Sequence, residues 1–130
     1  MWFRGRRAPD RLVSESPPLA IREPIFRDGT WQLLDCQPAW SGNDSYQHFL
    51  VFAWHDPDGK RVIVQVNLSE HPSQCHVRLP YAELEGRLWQ LRDELRGVRY
   101  GWRGDDLRGR GLFLDAPPWQ VAIDSLWQRI

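Results

Sequence analysis

The chain has 130 residues, enough for one domain with a buried core, and its 17 Lys and Arg side chains balance 17 Asp and Glu side chains. A formally neutral protein lacks the long-range attraction that draws proteins to phosphate backbones or anionic lipids, which disfavours nucleic acid and membranes as partners. We also find neither the roughly eighteen apolar residues of a membrane helix nor the apolar run of a signal peptide. We therefore expect a cytoplasmic protein.

Residues 1–24 are rich in Pro, Arg and Ser and show little apolar periodicity, which predicts a partly irregular N-terminal extension before a domain at residues 25–130. From Ile25 onward, short runs of β-branched and aromatic residues alternate with turn signals such as RDGT, SGNDS and HDPDGK. This rhythm predicts an all-β fold, an antiparallel two-sheet β-sandwich of Greek-key type with about 7–8 strands.

Two turns are well marked in the sequence. Asp58 and Gly59 suit the positive φ angles of a tight turn, and they predict a hairpin between YQHFLVFAW and KRVIVQVNL. The first strand of this hairpin is apolar on both faces, so we expect it to be central in its sheet. Pro117 and Pro118 lack backbone N–H groups and predict a break between GLFLD and WQVAI, with Trp119 anchoring the last strand.

The segment around Leu88 is ambiguous. Apolar residues recur at spacings of three and four from Tyr81 to Leu95, which is typical of an amphipathic helix. Trp89 also alternates with its neighbours as in a strand, and Gly86 weakens the helix. The local pattern leaves helix and strand open.

Eight tryptophans are many for this length, and each buries on the order of 150–250 Å² when it packs in a core. Trp40, Trp54 and Trp102 lie near predicted strand ends or turns, where an exposed indole could stack on the glucose rings of an α-glucan or face a partner. Packing is the commoner use of an indole in a strand. We expect it for three tryptophans, Trp31, Trp89 and Trp119.

Neither catalysis nor a cofactor is assigned to any residue. Asp105 with Asp106, and Glu83 with Glu85, are the nearest carboxylate pairs in the sequence. A glycosidase needs two carboxyl groups that face each other across a cleft, and closeness in sequence does not build a cleft. We expect all four to be solvated loop and turn residues.

The sequence also predicts no metal site. Glu70, His71, Cys75 and His76 cluster around a proline-containing turn, but the second ligand pair of a zinc site is missing, so a structural turn is favoured. A domain this rich in apolar residues does not depend on a disulfide, so we expect Cys36 and Cys75 to be free, buried thiols.

Four segments resemble the C-terminal β-sandwich domain of the α-amylase family of glycoside hydrolases. They are REPIFRDGTWQLL, GNDSYQHFLVFAW, RVIVQVNLSEHPSQ and LRDELRGVRYGWRGDDLRGRGLFLDAPPW. In that family similar segments follow the catalytic barrel in the same order, and the last closes with a comparable Pro-Pro-Trp ending. The resemblance covers Leu19 to Trp127. It implies a strand at Leu88–Asp93, with at most a helical turn around Tyr81–Glu85.

The resemblance also bears on function. The catalytic part of these enzymes is a (β/α)₈ barrel of about 250 residues, which carries the catalytic carboxylates and which this chain is too short to contain. It therefore implies a non-catalytic accessory or interaction domain, or a relic of a longer enzyme. Two alternatives stay open: an α-glucan (starch or glycogen) binding module, and a subunit that completes a separately encoded catalytic barrel.

In the full enzymes one side of this domain lies against the barrel. The resemblance therefore implies that an isolated copy exposes an apolar surface unless something covers it. The N-terminal extension, a homodimer or another chain could each do so.

Overall fold

The structure is a computed structural model that describes residues 24–129. Within this range the chain forms nine strands: β1 (Thr30–Leu34), β2 (Cys36–Pro38), β3 (Phe49–His55), β4 (Arg61–Asn67), β5 (Ser73–Val77), β6 (Leu88–Asp93), β7 (Arg99–Arg103), β8 (Leu112–Ala116) and β9 (Val121–Gln128). They form a six-stranded sheet in the order β1-β3-β4-β9-β6-β7 and a three-stranded sheet in the order β2-β5-β8. All pairs are antiparallel, so the predicted all-β sandwich is confirmed, with slightly more strands than expected.

Short helical segments connect the strands. They are α1 (Pro24–Asp28), α2 (Gly104–Arg108) and two 3₁₀ turns at Asp44–His48 and Ala82–Leu84. Each is far too short to cross a bilayer, and residues 24–129 offer no other helix for that purpose. The predicted N-terminal extension lies outside the described residues except for Pro24, which begins α1.

The ambiguous segment forms a strand, as the resemblance implied. β6 spans Leu88–Asp93, and the preceding helical turn occupies Ala82–Leu84, inside the predicted window. Because β6 pairs with β7 on one side and β9 on the other, sheet formation outweighs the helical spacing of its apolar residues. Trp89 and Leu91 both face the core.

The predicted hairpin joins β3 and β4. Gly59 has a φ of +90° and donates its N–H to the carbonyl of Asp56, while the Asp56 carboxylate accepts the N–H groups of Asp58 and Lys60. β3 lies inside the large sheet, between β1 and β4, as expected. Its two faces differ, however, because Leu50 on one face is exposed.

The core lies between the two sheets, and we call the face of the large sheet that points into it the inner face. Fully buried side chains from both sheets meet there, including Val51 and Ile63 from the large sheet and Cys75 and Val77 from the small sheet. Burial of this apolar surface is what holds two sheets together as a sandwich. The opposite side of the large sheet is the outer face.

Pro117 and Pro118 separate β8 from β9, as predicted. The turn closes where Gln120 donates its N–H to the carbonyl of Pro117 at 3.3 Å. Trp119 within it has a φ of +60° and is 63% exposed, so the expectation that it anchors β9 in the core is wrong. The reason is its position in the turn, ahead of the first residue of the strand.

Trp31 and Trp89 lie in different environments, one exposed and the other buried. Trp89 is 4% exposed and donates its indole N–H to the carbonyl of Leu84 at 2.9 Å, so it packs between the sheets as expected. Trp31 is 57% exposed, so the same expectation is wrong for this residue. Trp31 stands directly opposite Trp54 on β3, and both point to the outer face.

The two environments predict different costs of truncation. We expect Trp89→Ala to lower the free energy of unfolding by about 3–5 kcal/mol, because it empties a core site and leaves a carbonyl without its donor. Trp119→Ala should change it by less than about 1 kcal/mol, because the indole already contacts water. Urea unfolding followed by circular dichroism measures both, and equal losses would contradict this assignment.

Candidate functional site

The three tryptophans singled out in the sequence lie in three separate places. Trp40 follows β2 and is 56% exposed, Trp54 lies on the outer face of β3, and Trp102 lies on the inner face of β7. Trp54 and Trp102 are each partly buried. They therefore do not build one common aromatic platform.

The outer face of the large sheet is strongly apolar. Cross-strand pairing sets Trp31 against Trp54 and Leu33 against Phe52, and the stripe continues across β4 to β9. Its well-exposed members are Trp31, Leu33, Leu50, Val121 and Trp127, each between 39% and 57% exposed. The outer face therefore exposes a broad apolar surface to water.

Aromatic rings fill one end of the outer face. Phe26 of α1 packs edge-on against Trp54, with ring centroids 5.1 Å apart, and Trp31 packs against Phe52 at 5.7 Å and against Trp54 at 6.0 Å. The first two pairs are edge-on and the third is stacked, and both arrangements at these separations are ones that aromatic pairs prefer. The four rings support one another and form a firm aromatic surface, which we call the outer aromatic cluster.

A polar rim borders the apolar stripe of the outer face where β9 meets β6. The guanidinium of Arg92 lies over the Trp127 ring, 5.0 Å from its centroid, and the Trp127 indole N–H donates to the Ser125 hydroxyl at 2.8 Å. That hydroxyl in turn donates to the Glu94 carboxylate. An apolar centre with a charged, hydrogen-bonded rim is the usual anatomy of a protein–protein interface.

The inner face opens into a cleft beyond the edge of the small sheet. The cleft has a volume of about 260 Å³ and lies between β8 and the strands β9, β6 and β7. From the large sheet, the side chains of Tyr100, Trp102, Gln65 and Asp124 face it, and Phe113 and Asp115 line it from β8. The structure thus places Trp102, one of the three candidates from the sequence, beside a group of polar residues.

Asp124 is the unusual group in this cleft. The residue is only 5% exposed, and its Oδ2 accepts a hydrogen bond from the Gln65 side-chain amide at 2.7 Å. Burial, together with the nearby Asp93 and Glu94 carboxylates, raises the pKa of Asp124 to about 6, against the opposing effects of Gln65 and Arg96. Asp124 therefore titrates near neutral pH.

Asp93 pairs directly with Asp124 across the β6–β9 ladder but has a different role. Its Oδ1 accepts the backbone N–H groups of Leu95 and Arg96 at 2.9 and 3.0 Å, and its Oδ2 accepts from the Arg96 guanidinium at 3.0 Å. The Asp93 carboxylate thus holds the β6–β7 turn. For Asp124, by contrast, Gln65 is the one hydrogen-bond donor that residues 24–129 supply.

Sequence reasoning missed Asp124 and Gln65. A signal existed in the alternation of the strands, because Asp124 falls between Ala122 and Leu126 on the same face of β9. Both of those neighbours are buried, which places a carboxylate on the core side of the sheet. Alternation alone does not show that a cleft opens at this point.

The carboxylates that the sequence brought together are solvated, as expected, although Asp105 and Asp106 lie in α2 rather than in a loop. Glu83 forms an ion pair with Arg61, and Glu85 approaches Arg108 at 3.5 Å. All four, including Asp105 and Asp106, are exposed. The Asp105 carboxylate accepts the N–H of Gly86 at 2.9 Å, which ties two loops together.

The histidine-containing turn after β4 is organised by Asn67. This fully buried side chain donates to the carbonyls of His71, Ala116 and Pro117 at 2.9–3.2 Å. Within residues 24–129 the structure brings together no set of three potential metal ligands. The turn therefore joins β4 to the end of β8 through hydrogen bonds.

Cys36 and Cys75 are both free, as predicted, and Cys75 is fully buried whereas Cys36 is half-buried. The two thiols lie on the neighbouring strands β2 and β5. A hydrogen bond from Cys75 to the Cys36 sulfur lowers the pKa of Cys36 and raises the pKa of Cys75. Burial raises the pKa of both thiols, so it opposes the lowering at Cys36 and reinforces the rise at Cys75.

No family model matches the chain, and no curated protein matches it.

The buried carboxylate predicts a pH dependence of stability. The pKa of Asp124 is about 6 in the folded state and about 4 in the unfolded chain. Between these pH values the folded protein keeps the proton and the unfolded chain has released it, so the free energy of unfolding falls as pH rises from about 4 to about 6. The fall in the free energy of unfolding across this range is on the order of 3 kcal/mol. We therefore expect the free energy of unfolding of Asp124→Asn, taken relative to the wild type, to be higher at pH 7 than at pH 4.

Urea unfolding at the two pH values measures this difference. The matched control is Asp58→Asn, which makes the same chemical change at an exposed position in the β3–β4 turn. A stability difference between Asp124→Asn and the wild type that is the same at both pH values would contradict the assignment.

Proposed function

We propose that this chain is a non-catalytic accessory domain that acts by docking its outer face onto a separately encoded catalytic barrel of the α-amylase family. The observation that carries the proposal is the apolar outer face, which extends over β1, β3, β4 and β9. The resemblance of the four sequence segments supports the class of partner.

The exposure of the outer face supports docking on energetic grounds. Trp31, Leu33 and Trp127 each leave about half of their surface in contact with water. Moving apolar surface out of water yields roughly 25 cal/mol per Å², and soluble monomers seldom expose large contiguous patches of this kind. A partner that covers this face would gain binding energy from aromatic rings that are already fixed in place.

The shape of the face supports a folded partner. Neighbouring rings of the outer aromatic cluster hold one another, so little side-chain freedom remains to be lost on binding. Arg92 and Glu94 at the rim would set the orientation of the partner through charge. A broad, rigid sheet face of this kind suits another folded surface better than a flexible peptide.

The cleft carboxylates support an accessory role rather than catalysis. Glycosidases place an acid and a base or nucleophile on opposite sides of the sugar ring. Asp124 has a raised pKa, as a general acid does, but its neighbour Asp93 stands beside it in the same sheet and is engaged by Arg96. We expect no hydrolysis of soluble starch or maltooligosaccharides by the purified chain.

Site-specific photocrosslinking tests the docking surface. We would place p-benzoylphenylalanine at position 31, on the outer face, in the full chain expressed in its own host, and identify adducts by mass spectrometry. We expect a crosslink to a glycoside hydrolase barrel, because an interface within reach of residue 31 is what the proposal requires. The matched control carries the same group at position 40, where Trp40 is equally exposed but lies outside the outer face.

The other outcomes would overturn the proposal in distinguishable ways. A crosslink from position 31 to a second copy of the chain would identify the outer face as a homodimer interface. Equal adducts from positions 31 and 40 would mean that contact is not specific to this face. The absence of any adduct at position 31 would leave the docking proposal without support and contradict it.

An α-glucan-binding module is the second candidate, and the wide exposure of Trp40 is the observation that favours it. Electrophoresis through native gels with and without embedded amylopectin or glycogen tests this alternative, beside a non-binding protein of similar size. We expect no retardation, because Trp40, Trp54 and Trp102 do not share a surface. Retardation that disappears in Trp40→Ala, and persists in Trp119→Ala, would favour glucan binding over docking.

A further inference from the structure

We propose that the cleft between β8 and the strands β9, β6 and β7 is a binding site for a small organic cation, such as an alkylammonium or guanidinium group. The cleft lies on the inner side of the large sheet, opposite the outer face. This inference is therefore independent of the docking proposal.

The residues that line the cleft are acidic rather than basic. They include Asp93 and Asp124 from the large sheet and Asp115 from the exposed side of β8, and within residues 24–129 they include no Lys or Arg. Arg96 pairs with Asp93 and donates to the carbonyl of Val121, so Asp124 is the large-sheet carboxylate of the cleft that has no ion pair within residues 24–129. The field in the cleft therefore favours a positive guest.

One wall of the cleft is aromatic. Trp102 and Tyr100 stand on β7 directly opposite Trp89 and Leu91, which fixes both rings on the inner side of the sheet. Phe113 lines the cleft from β8, but its ring packs against His76 on the other side of that strand, 5.4 Å between centroids. Aromatic faces attract organic cations through their quadrupole, most strongly when the cation is desolvated. Rings and carboxylates together are the combination that recognises ammonium groups.

The buried carboxylate of Asp124 has a neutral hydrogen-bond donor and no ion pair within residues 24–129. A buried carboxylate is costly unless it is paired with a cation or fully hydrogen-bonded, and here Gln65 donates to it while the charge of Arg96 acts on it from a longer distance. A bound cation would provide the missing charge. It would also stabilise the ionised form of Asp124, so binding and proton release would be coupled.

The size and chemistry of the cleft narrow the ligand further. A volume of about 260 Å³ lies below the roughly 300–1,000 Å³ of sites for drug-sized ligands, so a small guest is favoured. A sugar needs donors as well as acceptors from the protein, whereas the ionised walls here mainly accept. The aromatic side of the cleft also differs from the all-oxygen shell that calcium or magnesium prefers.

Fluorine NMR of the full chain labelled with 5-fluorotryptophan tests the site directly. The Trp102 resonance is assigned by its loss in Trp102→Phe, and the probes are tetramethylammonium chloride and tert-butanol, a neutral molecule of similar shape. We expect tetramethylammonium to shift the Trp102 resonance in a saturable way at pH 7.5, and tert-butanol to leave it unchanged. Sodium chloride at equal ionic strength serves as the salt control.

The pH dependence gives a second readout. Because the pKa of Asp124 is about 6, we expect tetramethylammonium to bind about tenfold more weakly at pH 5 than at pH 7.5. The other charged groups around Asp124 are Asp93 and Glu94, with Arg96 after β6, and Asp115 on β8. Asp124→Asn should weaken binding at pH 7.5 and flatten this pH dependence, whereas Asp58→Asn should do neither.

Two results would overturn the cation site. One is a Trp102 resonance that tert-butanol or glucose shifts as much as tetramethylammonium, which would identify a site for neutral ligands. The other is no saturable shift with tetramethylammonium while the fluorine spectrum shows a folded protein. If the site binds cations, titration with N-acetyl-lysine amide distinguishes a peptide side chain from a free quaternary amine as the tighter ligand.

Discussion

The structure depends on an unequal match between its two sheets. Six strands form the large sheet and only three face it, so the small sheet covers part of one side. Apolar burial between the sheets holds the sandwich together, as the complete burial of Val51, Ile63 and Val77 shows. The mismatch leaves the β7 side of the inner face open as a cleft. The outer face is bare for a different reason, because residues 24–129 form only two layers and no third layer covers it.

The sequence was most informative where backbone geometry decides the outcome. Gly59 marks the β3–β4 turn and Pro117 marks the end of β8, because a positive φ and a missing N–H restrict the backbone whatever the surroundings. The residues of β6 alone did not predict its secondary structure, because their apolar spacing suits a helix. The order of the neighbouring segments indicated a strand. Trp31 was misplaced because alternation separates two faces but does not say which one meets the other sheet. Trp119 was misplaced because it lies in the turn ahead of β9.

The candidate cleft was harder to predict for a related reason. Ile63, Gln65 and Asn67 share one face of β4, and it is this mixed face that points inward and is buried. Burial of the two amides is tolerated because each finds a partner from a distant part of the chain, Asp124 for Gln65 and the end of β8 for Asn67. Contacts across about fifty residues of sequence leave no local pattern. Trp102 could be singled out from the sequence, whereas its polar neighbours needed the fold.

The position of α1 has a consequence for how the outer face can be reached. Phe26 packs on Trp54, so the chain enters the sandwich beside the aromatic surface that the proposed partner would cover. Any polypeptide joined ahead of Pro24 is therefore tethered next to that surface. A tether of this kind raises the local concentration of whatever it carries to the millimolar range, so even an intrinsically weak contact would be well occupied. Covalent linkage at this end and binding in solution would then be two routes to the same assembly, differing mainly in the entropy of bringing the parts together.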